Sequence, residues 1–130
     1  MKTLDDLRDG VPFGGQNKYG SWNGSYKSLD GTPTEPFNEE DVAEVLYLGQ
    51  EGVDDWDGTE AVVIRMKDDR LAAWQTWWGP TGSGFSEDAY GGDTDIWFAS
   101  KDNLNLLVLE ALTDYGRELC GIPREGFVTP

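Results

Sequence analysis

An α+β fold is what this sequence predicts: an antiparallel, meander-like sheet of about four to five strands with a C-terminal helix packed on one face. Three observations carry that reading. Glu60 to Lys67 and Arg70 to Trp78 are two β-type runs joined by Asp68-Asp69, and Val42 to Leu48 is a third run dense in β-branched and aromatic residues. Leu104, Leu107, Val108 and Ala111 then recur at helical spacing close to the C-terminal end.

The 130 residues suit one domain, with a Gly-rich region at 1–37 and the sheet plus helix at 38–130. Thr3 followed by Leu4-Asp5-Asp6-Leu7 allows one helical turn, stopped by Gly10 and Pro12. Asn23-Gly24 accepts the positive φ angles of a tight hairpin turn, so Tyr19 to Trp22 and Ser25 to Ser28 are expected to pair. Asn38-Glu39-Glu40-Asp41 reads as a turn into the Val42 to Leu48 strand, which Gly49 should end. Gln50 to Thr59 is expected to be an acidic loop.

With Asp68-Asp69 as a two-residue turn, Lys67 faces Arg70, Arg65 faces Ala72 and Val63 faces Trp74. Val62, Ile64, Met66, Leu71, Ala73 and Trp77 then form the core face, leaving the other face to solvent. Gly79 to Gly92 is a long irregular connection. Asp95 to Ala99 is a last strand, and Ser100 caps the helix after it. Thr113-Asp114 restarts a short helix that ends at Gly121, with Pro123 blocking continuation.

Charge limits the function. Asp and Glu total 25 against 10 Lys and Arg, and the net charge of -15 repels phosphates and anionic membrane surfaces. Direct nucleic-acid and membrane binding are therefore not expected. Hydrophobic residues at 38% and six Trp give enough apolar material for a folded chain. A lone Cys, an acidic N-terminus without an apolar leader and the lack of a long apolar run make the cytoplasm the expected compartment.

The catalytic inventory is thin. There is no His, which removes the commonest general base, the usual nitrogen ligand of zinc and any partner of that kind for Cys120. Asp55-Trp56-Asp57-Gly58 resembles part of a calcium loop, but the first and twelfth ligand positions fall on Val53 and Ile64. A looser divalent-cation site from Asp54, Asp55, Asp57 and Glu60 is a minor alternative to a solvated loop. Gly79 to Gly84 lacks the Lys-Ser/Thr of a phosphate-binding loop. No catalytic residue, metal or cofactor is assigned.

Two constellations remain. From Ser28 to Ile64 there is no Lys or Arg, while Asp30, Glu35 and Glu44 fall inside the stretch together with the candidate partner-binding acids Glu39, Glu40, Asp41, Glu51, Asp54, Asp55, Asp57 and Glu60. Gathered on one surface at the spacing of nucleic-acid phosphates, they would fit the basic groove of another protein. The alternative site is an aromatic and basic patch on the solvent face of the central hairpin, Arg65, Lys67, Arg70, Trp74 and Trp78, which would hold an anionic or planar small ligand. Against both stands an ordinary solvated surface with its charges neutralised within the molecule.

Asp41-Val42-Ala43-Glu44-Val45-Leu46, the run from Val62 to Ala72 with its charged turn, and Ala111-Leu112-Thr113-Asp114-Tyr115-Gly116-Arg117 resemble small uncharacterised acidic accessory proteins of actinobacterial phages. That resemblance implies a phage product acting in the cytoplasm of a bacterial host, and it transfers no catalytic residues. The expectation is a non-enzymatic inhibitor that behaves as a DNA mimic toward a basic protein of the host or its defences.

Overall fold

The computed structural model describes residues 16–17, 20–21, 26–35, 37–51, 58–78 and 95–122. The turn expected at Thr3, the Asn23-Gly24 dipeptide, Asp54, Asp55, Asp57 and the Gly79 to Gly92 connection lie outside them, as do the side chains of Glu39, Trp77 and Trp78.

The α+β fold is present. Among the described residues seven strands run in chain order: β1 Gln16–Asn17, β2 Gly20–Ser21, β3 Tyr26–Ser28, β4 Val42–Glu51, β5 Gly58–Met66, β6 Leu71–Trp78 and β7 Ile96–Ala99. Two helices follow, α1 Leu104–Ala111 and α2 Asp114–Leu119. β3 to β7 form one five-stranded sheet in the order β3-β7-β6-β5-β4. All its pairings are antiparallel except β3 with β7, where Tyr26 lies opposite Ile96 in parallel. The expected first hairpin is therefore rearranged. Gly20–Ser21 pairs with Gln16–Asn17, while Tyr26–Ser28 joins the main sheet.

The central hairpin has the expected strands in a register one residue away from that expected. Ile64, rather than Arg65, lies opposite Ala72, and Val62, rather than Val63, lies opposite Trp74. The cause is the turn. Met66 N–H donates to Arg70 O (2.7 Å) and Asp69 N–H to Met66 O (2.9 Å), so three residues, Lys67-Asp68-Asp69, form the loop, and Asp69 adopts φ +73°. The same turn occurs at Ser28 to Thr32, where Gly31 occupies the left-handed position at φ +88°.

A left-handed φ strains any residue with a Cβ. Asp69→Gly should therefore stabilise the protein by about 0.5–1 kcal/mol, since the exposed ion pairs it removes are each worth only a few tenths. Asp69→Val should cost about 1–2 kcal/mol, and urea unfolding of the two variants measures both.

A one-residue slip exchanges the faces. Val62, Ile64, Met66, Ala72 and Trp74 share one face with Tyr26, Leu48, Ile96 and Phe98. Ala61, Val63, Leu71 and Ala73 share the other with Leu107, Val108, Leu112 and Ile122. Leu71 and Ala73 are thus not on the core face assigned to them, and neither face is left to solvent. Phe37 caps the first face, its ring 5.9 Å from Trp74, 6.1 Å from Phe98 and 6.2 Å from Tyr26. The two helices cover the second.

Their ends follow from local chemistry. Ser100 precedes a 3-10 turn, Lys101–Asn103, that leads into α1, and its side chain makes no capping bond. Thr113 does cap α2, its hydroxyl accepting from Gly116 N–H at 3.0 Å. At the other end Gly121 takes φ +74°, Gly121 N–H donates to Glu118 O, and Ile122 N–H donates to Arg117 O.

In the Ser28 to Thr32 turn, Asp30 Oδ1 accepts from Ser28 Oγ at 2.6 Å and from Thr32 N–H at 2.9 Å. These bonds, that of Ser28 first, hold its carboxyl down from 3.8 to about 2. The stability they contribute is fully present above the ordinary carboxylate value and is lost as pH falls through the depressed one. NMR titration should place the Asp30 midpoint near 2, and Ser28→Ala should raise it.

Candidate partner-binding surface

β4 is the outer strand of the sheet among the described residues, and it divides the expected acidic surface. A 3-10 turn, Glu39–Asp41, leads into its first residue, and Glu51 is its last. Ten residues of strand put these ends about 30 Å apart at roughly 3.3 Å per residue. β4 continues through Gly49, where the sequence suggested a stop, and Gln50, Glu51, Gly58 and Thr59 of the expected acidic loop are strand residues.

At the first end, Glu40 and Asp41 are exposed. Asp41 Oδ2 accepts from Asn38 N–H at 3.0 Å, and Asp41 O accepts from Lys67 N–H at 2.8 Å, which fastens this turn to the tip of the central hairpin. Between them lies a cleft of about 310 Å³ lined by Glu35, Phe37, Asp41, Met66, Lys67, Asp68 and Arg70. Asp68 was not among the candidate residues, and Glu35 entered only as one of the acids of the cation-free stretch. Their contribution depends on the 35–41 segment folding back over the hairpin, a non-local contact that leaves no mark in spacing.

At the second end, exposed Glu51 accepts from the Tyr115 hydroxyl of α2. Asp114 and Glu118 of that helix are also exposed, and Asp114 pairs with Arg117. Glu60 does not belong to it. This side chain is 0% exposed, on the first face of β5, and its Oε2 accepts from Gln50 Nε2 at 2.6 Å across the β4–β5 pair. The Glu60 assignment as a partner-facing acid is therefore corrected: a carboxylate without solvent access cannot meet a partner.

The alternative patch comes apart as well. Trp74 is 1% exposed and belongs to the core. Arg65 donates to Glu44 at 2.8 Å and to Asp69 at 3.2 Å. Arg70 donates to Asp68 at 2.9 Å while lying 5.2 Å from the Phe98 ring centroid. Among the described side chains of that set, Lys67 and Arg70 line one cleft together.

The other described cations follow the same pattern. Lys27 lies 2.9 Å from Asp95 and over the Trp97 ring, Lys101 lies 3.9 Å from Asp69, and Arg117 pairs with Asp114.

Cys120 is a packed thiol. Burial pushes it up to about 11, only partly opposed by a bond from the Gly49 backbone. Native protein should therefore react slowly with iodoacetamide at pH 8, and guanidinium should restore the rate of an ordinary thiol. Among the described residues no group of three His, Cys, Asp or Glu side chains comes close enough to hold a metal ion, and no helix is long and apolar enough to cross a membrane. No family model, curated protein or solved structure matches the chain.

Proposed function

We propose that this chain is a non-enzymatic acidic binding protein, a phage product that occupies a basic, nucleic-acid-binding surface of a host or defence protein in the bacterial cytoplasm. The supporting observation is how charge is distributed among the described residues. Lys27, Arg65, Arg70, Lys101 and Arg117 each lie against a carboxylate of this chain. The described acids beyond those pairs include exposed Glu40 and Asp41 at one end of β4 and exposed Glu51 at the other. Asp54, Asp55 and Asp57 follow Glu51 in sequence.

Such a surface steers a basic partner over long range, giving fast association that weakens with salt. Capture from an actinobacterial lysate at low salt should recover a basic protein with the native chain and lose it with the variant E39Q/E40Q/D41N/D54N/D55N/D57N. Recovery of no basic protein, or equal recovery with the variant, would remove the reading.

A further inference from the structure

The cleft between the hairpin tip and the 35–41 segment is a concave feature lined by described residues. Its volume, about 310 Å³, is at the bottom of the range for small-molecule sites, roughly 300–1,000 Å³, and suits one side chain better than a nucleotide or sugar. Its floor is apolar, from Phe37 and Met66.

The charge on its walls favours a cation. Arg70 is already held by Asp68 through Nε at 2.9 Å and rests on the Phe98 ring, so these two opposite charges cancel locally. That leaves two further acidic residues in the lining, Glu35 and Asp41, against one further cation, Lys67, and exposed Glu40 precedes Asp41 in the chain. A long cationic side chain can lay its methylenes on an apolar floor while its charged head meets carboxylates at the rim. Interfaces of this kind concentrate their binding energy in one such buried anchor.

We propose that this cleft is the anchor point for an arginine side chain of the basic partner, with the stem over Phe37 and Met66 and the guanidinium between Glu35 and Asp41. A planar fork with several donors matches two carboxylates better than a compact ammonium does. The proposal rests on the acidic-binding reading and assigns it a place.

The test is an amide NMR titration of the full chain with three neutral-ended probes: acetyl-Gly-Arg-Gly-amide, its Lys counterpart and acetyl-triglycine-amide. The arginine peptide should give saturable shifts confined to residues 35–41 and 66–70. The Lys peptide should bind more weakly, and triglycine should not bind. E35Q/D41N should weaken the arginine peptide about tenfold, the loss of charge-assisted bonds, while D102N/E110Q, the same charge change on exposed helical positions, should stay within about twofold. The Asn at position 41 keeps an oxygen to accept from Asn38 N–H, so the turn persists.

Absence of saturable shifts, shifts spread evenly over the acidic surface or centred on Glu51, or equal weakening in both variants would each overturn the cleft as anchor. The acidic-binding reading survives those outcomes and is tested separately by the lysate capture.

Discussion

Trp74→Ala should destabilise the protein by about 3–5 kcal/mol, because removing a buried indole forfeits its transfer free energy and leaves a cavity the sheet cannot close. Trp74 is 1% exposed in the middle of β6, with Phe37 5.9 Å away across the first face and Val62 opposite it on β5. Domains of this size have total stabilities of roughly 5–15 kcal/mol, so the variant should unfold at much lower urea or be partly unfolded in buffer. Trp74→Phe retains most of the apolar volume and should lose less than half as much. An exposed Trp74 serving as a ligand platform would predict the reverse, with both variants as stable as the native chain and only binding affected.

Gly49→Ala should cost about 3 kcal/mol and lower the melting temperature by roughly 10 °C. Gly49 is an interior residue of β4 opposite Ala61, facing the side on which the end of α2 packs. A Cβ there would fall 2.5 Å from Cys120 N and 2.6 Å from Leu119 O, nearer still to Leu119 C. Those are backbone atoms fixed by the α2 C-terminal bonds from Gly121 to Glu118 and from Ile122 to Arg117, so the strain cannot be relieved by a rotamer change. Gly116→Ala makes the informative comparison. Its Cβ would overlap the Gln75 side chain, which accepts from Thr113 N–H at 2.8 Å, and Gln75 can move if it gives up that bond. Differential scanning calorimetry should rank Gly49→Ala below Gly116→Ala, and both below the native chain.

These two sites also mark what the sequence made legible. The strands of the central hairpin, the Glu39–Asp41 turn before β4, the final strand and both C-terminal helices follow from local patterns, and all are present. The hairpin register does not, because it is set by a three-residue loop that needs a left-handed residue. At Gly31 the residue type announces such a loop, while at Asp69 it does not. Ala61-Val62-Val63-Ile64 carried a signal of its own: an unbroken apolar run indicates burial on both faces, whereas one solvated face leaves alternation. Gly49 reads as a strand end in isolation, since only the approach of α2 explains a glycine inside the strand.

The acidic surface was legible in amount and not in place. Counting carboxylates predicts the excess correctly, but exposure and pairing are tertiary properties. Glu60 is enclosed and bonded to Gln50, and Glu44 is matched across the strands to Arg65. The cleft arises because Asp41 O receives Lys67 N–H, a contact between segments far apart in sequence.

The affinity of the chain for its captured basic partner, followed by calorimetric titration across about a tenfold range of salt, bears most directly on the claim that uncompensated surface carboxylates drive binding. That claim predicts a steep fall of affinity with ionic strength, and a shallower one for the variant lacking the acids at the ends of β4. An affinity flat in salt, or equal salt dependence in native and variant chains, would contradict it.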